Sequence, residues 1–69
     1  MTATEMKSLV GAVIVHYGLP FTVLSVIGSP DGWNILVRAG TGGIVRFTVA
    51  DGRPVDLREA IQGTLEAQL

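Results

Sequence analysis

Polar and apolar positions divide the chain into five segments. Between residues 3 and 17, Met6, Leu9, Val10, Val13, Ile14 and Tyr17 recur at i, i+3, i+4 and i+7, the spacing of an amphipathic helix. Thr2 with Glu5 fits a capping box at its start, with Thr4 as a rival N-cap. Gly18 suits the left-handed position after the last turn, Pro20 prevents continuation, and Leu19 is placed to fold back on that turn. Residues 21–28 have strand composition, as do 33–39 and 43–50; Trp33, Ile35 and Val37 share one face of the second strand, and Val45, Phe47 and Val49 share one face of the third. A second helix is expected over 57–67, capped by Asp56 with Glu59, with Leu57, Ala60, Ile61, Thr64 and Leu65 on one stripe. Gly63 inside it costs about 1 kcal/mol against alanine, a cost that close approach to the sheet or to the first helix would explain.

The turns set the pairing. Ser29-Pro30-Asp31-Gly32 reads as a three-residue loop, Pro30 to Gly32, which pairs Ser29 with Trp33, Ile27 with Ile35, Ser25 with Val37 and Val23 with Ala39. Gly40-Thr41-Gly42 reads as a second three-residue loop, pairing Ala39 with Gly43, Val37 with Val45, Ile35 with Phe47 and Trp33 with Val49. A slip of one residue in that second hairpin would put Arg38 or Arg46 on the apolar face. Short loops make the strands a meander, and two amphipathic helices need one surface to cover. The expected fold is therefore α+β in the order α-β-β-β-α, a three-stranded antiparallel meander with both helices packed on one face. Residues 1–69 read as a single small domain, without repeats or linkers.

That arrangement leaves the reverse side of the sheet uncovered, and the pattern makes it unusually apolar. Leu24, Val26, Leu36 and Ile44 are expected there beside Arg38 and Arg46, among Thr22, Asn34 and Thr48. These six apolar and arginine positions are the candidate partner-binding residues. A domain of 69 residues buries only roughly 60% of its unfolded surface, and with no cysteine it has no disulfide to help, so association is the remaining support. The expected occupant is a second copy or another protein. The free edges of a three-stranded sheet, strand 3 among them, are a second route to association.

Composition narrows the chemistry. At 48% hydrophobic and 16% charged, the chain is too apolar for disorder. A net charge of −1, with four arginines and one lysine, argues against nucleic acid as the main partner. Binding of nucleic acid or another anionic ligand by Arg38 and Arg46, diagonal neighbours on one face, is kept as the alternative. The run Leu9–Val15 falls far short of the roughly 20 residues a bilayer span needs, and Met1–Glu5 lacks the basic start of a secretory signal, so a cytoplasmic location without membrane partner is expected.

No residue set reads as catalytic, and no metal or cofactor is expected. His16 lies off the apolar stripe near the end of a helix, where its charge would meet the helix's negative end. Trp33 alternates with Ile35 and Val37 as core. Gly40-Thr41-Gly42-Gly43 lacks the lysine and the following helix of a phosphate loop. Asp31, Asp51 and Asp56 stand where turns and caps use aspartate. The helix–three strands–helix order is similar in topology to the double-stranded RNA-binding domain, whose last helix begins with a basic segment that grips phosphates. Here the segment is Val55-Asp56-Leu57-Arg58-Glu59, acidic at its cap, so the likeness extends to the order of helices and strands and implies nothing about RNA.

Overall fold

The computed structural model describes all 69 residues, in the order α1 (Ala3–His16), β1 (Phe21–Ser29), β2 (Gly32–Ala39), β3 (Ile44–Ala50) and α2 (Pro54–Glu66). The strands form one antiparallel sheet in the order β1-β2-β3. α1 lies against β1, α2 against β3, and the helices touch each other. Met6, Val10 and Val13 of α1 and Leu57, Ile61 and Leu65 of α2 meet Ile35 and Val37 of the central strand in one buried cluster. Both helices therefore cover the same side of the sheet.

The ends of α1 follow local chemistry. The Glu5 backbone N–H donates to Thr2 Oγ1 at 3.1 Å, and the Thr2 N–H donates to Glu5 Oε1 at 2.9 Å, so two amides at the start of the helix find side-chain acceptors. The Thr2 backbone amide foremost, then its hydroxyl, holds the Glu5 carboxyl below its ordinary value, because both bonds favour the charged form. At the other end Gly18 has φ +61, its N–H donates to Val15 O, and the Leu19 N–H reaches back to Ile14 O. That is a Schellman closure, with Leu19 and Ile14 both buried. Tyr17, by contrast, stays 44% exposed and does not extend the buried stripe.

The second hairpin pairs as its turn requires: Trp33 opposite Val49, Ile35 opposite Phe47 and Val37 opposite Val45, with the Ala39 N–H on Gly43 O and Gly42 at φ +96. The first hairpin departs from expectation. Its loop is two residues, Pro30 and Asp31, and Ser29 pairs with Gly32 rather than Trp33. Gly32 does not close the turn. It enters the strand at φ +152, so close to the Val49 carbonyl oxygen that a β-carbon would overlap it.

A bulge accompanies the shorter loop. Three residues of β1, Val23 to Ser25, span two of β2, so Val23 faces Val37 and Ser25 faces Leu36. Each end of β1 is fixed separately: the Gly40 N–H donates to Pro20 O beside the Phe21–Ala39 pair, and the Pro-Asp turn fixes Ser29 against Gly32. The two anchors disagree by one residue and the bulge absorbs the difference. Val26 is consequently opposite Ile35 and packs against the core; Val23 lies opposite Val37. The pairings of Ile27 with Ile35, Ser25 with Val37 and Val23 with Ala39 do not form.

α2 begins two residues before the expected cap. Arg53 is its N-cap, extended at ψ 151 as the residue before proline must be, and Pro54 takes the first helical position. No side chain caps it. Asp56 instead sits in the first turn, where its charge suits the helix dipole, with Arg53 Nε 3.2 Å from its Oδ2 in an exposed pair of little weight. The buried stripe is Leu57, Ile61 and Leu65; Ala60 is exposed. Nothing lies within 4 Å of a β-carbon built on Gly63, so close approach does not account for that glycine.

These two glycines should separate cleanly in urea denaturation. Gly63→Ala should raise stability by about 1 kcal/mol, since it only removes a helix-interior penalty. Gly32→Ala should lower it by about 2 kcal/mol or more, because the Val49 carbonyl and the backbone angle both resist a side chain. The capping box should also respond to acid. A carboxyl held low in the folded state stabilises α1 above the ordinary carboxylate range, and that support is lost as pH falls through the lowered value. The Thr2 amide NMR shift should report the transition, and Glu5→Gln should abolish it; an unchanged titration in the variant would mean the contact is not made.

Candidate functional surface

No helix is long and apolar enough to cross a membrane. No side chain that could act on a substrate is buried: every buried side chain is apolar, and no buried polar atom lacks a partner. No three His, Asp or Glu groups converge as a metal would require. Trp33 is core, 8% exposed, with its indole N–H directed at Asp51 Oδ1 3.3 Å away and its ring laid against the Cβ-free surface of Gly28 on β1. His16 is exposed in the last turn of α1, its ring edge-on to Tyr17 at 4.7 Å.

The side of the sheet away from the helices forms a three-by-three grid fixed by the register. Across the strands its rows are Thr22, Arg38 and Ile44; Ser25, Leu36 and Arg46; and Ile27, Asn34 and Thr48. Of the candidate residues, Leu36, Arg38, Ile44 and Arg46 stand on this face. Val26 does not, because the bulge turns it inward, and Leu24 is the extra bulge residue, bordering a depression with Ala3, Thr4 and Lys7 at the β1 edge. Two residues take their places: Ser25, and Ile27, which is 61% exposed. Strict alternation along β1 hides Ile27, and only an allowance for a bulge at Leu24-Ser25 would have found it.

The face carries three large apolar side chains, and they are aligned. Ile27, Leu36 and Ile44 lie corner to corner along one diagonal of the grid, one on each strand. Leu36 is half-buried, while Ile27 and Ile44 are more than half exposed. A depression of about 450 Å³ opens beside the Ile27–Leu36 part of this diagonal, with Ser25, Asn34 and Arg46 also among its lining residues. Arg38 borders the diagonal on one side and Arg46 on the other. Neither has a carboxylate partner, since the one ion pair in the structure joins Arg53 to Asp56.

A second groove, about 470 Å³, runs between α1 and the free edge of β1, lined by Lys7, Ser8, Gly11, Val15 and Phe21 among others. The bulge interrupts that edge, a feature that discourages strand addition. The β3 edge is regular and carries Arg46.

No protein-family model, curated protein or solved structure gives a match to this chain. The functional reading accordingly rests on the geometry of the chain itself.

The face and the core should differ sharply under truncation. Ile27→Ala and Ile44→Ala should each change unfolding free energy by less than about 1 kcal/mol, since most of either side chain is already in water. Ile35→Ala, on the opposite side of the same sheet and fully buried, should cost about 2–5 kcal/mol. Equal costs in thermal or urea unfolding would mean the outer face is covered in the free protein.

Proposed function

We propose that this chain is a non-catalytic protein-interaction module that docks through the outer face of its sheet. The observation that carries this reading is the exposed apolar diagonal Ile27–Leu36–Ile44, which neither helix covers and which the register assembles from all three strands. Isolated surface apolars are ordinary, but three aligned across a sheet beside a depression make a surface that loses water favourably when occupied. The structure supports a protein partner better than a second copy. Self-pairing would place four arginines between two faces that carry no carboxylate. Binding of an anionic ligand or nucleic acid by Arg38 and Arg46 remains the alternative, favoured only by those two unpaired guanidinium groups. The other basic side chains, Lys7, Arg53 and Arg58, are on the helices or in the loop before α2, so the face lacks the footprint expected of a nucleic-acid surface.

A photo-crosslinking side chain at Thr48, on the outer face, should give a discrete protein adduct in the native cell, and one at Gln62 on α2 should not. Leu36→Asp should abolish the adduct while far-UV circular dichroism and Trp33 fluorescence stay native. Adducts that form equally from both positions, or that survive Leu36→Asp, would overturn the docking reading.

A further inference from the structure

We infer that the occupant of the outer face is an acidic amphipathic helix of a protein partner, a proposal that rests on the docking reading above. The shape comes first. Crossing three strands about 4.8 Å apart over two two-residue steps of about 3.3 Å per residue gives the diagonal a length of roughly 16 Å. At 1.5 Å per residue that is about 11 residues, or three turns of helix. A straight apolar stripe of this length is matched by helical positions i, i+4, i+7 and i+11, whereas an added strand would use a sheet edge and leave the stripe uncovered. The depression beside Leu36 gives one partner side chain a seat.

Charge fixes the rest. Arg38 and Arg46 are the only ionisable side chains on the grid, and they stand on opposite sides of the apolar diagonal. A helix seated on the diagonal would therefore meet a cation on each flank. Carboxylates on both sides of its apolar stripe would pair with them, and each guanidinium offers planar donors suited to a carboxylate. A basic helix would meet two like charges.

The test uses the isotopically labelled full chain and two synthetic helical peptides of about 18 residues. Both carry leucine at i, i+4, i+7 and i+11; one has glutamate and the other lysine on either side of the stripe. The glutamate peptide should shift the amide resonances of Ile27, Leu36, Arg38, Ile44 and Arg46, bind about tenfold more tightly than the lysine peptide, and weaken with added salt. The double variant Arg38→Glu, Arg46→Glu should reverse the preference. Equal or inverted preference in the native chain would overturn the proposal. So would a salt-resistant dimer of the free chain through this face, or tighter binding of a phosphodiester oligonucleotide at the same residues. If neither peptide moves these resonances while the Leu36-dependent adduct persists, the partner chemistry is wrong and the docking reading stands. If that adduct is also missing, both fall.

Discussion

Ile35 and Val37, on the central strand, are fully buried in one cluster with the apolar stripes of two helices that lie against the strands on either side of it. Each helix presents one narrow apolar stripe, and neither stripe could be hidden by a three-stranded sheet that turned its other side to it. The core is therefore single and one-sided, and the remaining structure is arranged to feed it. Trp33, Val49, Leu19 and Phe21 close its margins, and no polar side chain enters. For so short a chain this is the economical solution, since dividing the apolar residues between both sides would leave two cores too small to hold.

The cost of a one-sided core falls on β1. Its inner positions must supply Phe21 and Val23 near α1, yet present a residue without a side chain opposite the bulky Trp33. Those requirements have opposite parity along a regular strand, because side chains alternate with period two. The bulge at Val23–Ser25 reconciles them, placing Phe21, Val23, Val26 and Gly28 inward on one strand. The same device interrupts the free edge, where an unbroken strand would be an invitation to a neighbouring chain. One local irregularity thus bears on the packing, on the continuity of the free edge and on the composition of the outer face.

The outer face is the residue of these choices. Core packing decides which side chains are excluded from it, and those left behind are three apolar groups in line with a free arginine on each flank. Nothing in the folded chain neutralises the arginines or covers the line. An apolar line of this kind would lose water favourably if covered, and the cations beside it would favour carboxylates over further cations; the proposed docking rests on that combination.

Much of this was legible in the chain. Thr2 and Glu5, Gly18 and Leu19, and the Gly40–Gly42 loop specify their geometry through neighbours a few residues away, and each formed as its chemistry dictates. Helix periodicity and strand alternation likewise determined the α-β-β-β-α order and the four-pair register of the second hairpin. The start of α2 departs from the capping-box pattern because Pro54 outranks a side-chain cap two residues on: its fixed backbone angle already suits the first helical position. The first hairpin was beyond local reading for a different reason. Both faces of β1 are apolar, so alternation cannot choose between registers, and the choice falls to contacts distant in sequence: the fit of Trp33 over Gly28, the approach of Gly32 to Val49, and the anchoring of Pro20 to Gly40. Sequence alone determined which elements exist and that one side of the sheet is left bare. Only the tertiary structure decided which side chains occupy that side, because a bulge changes the facing of every residue beyond it, and a bulge forms where distant constraints collide.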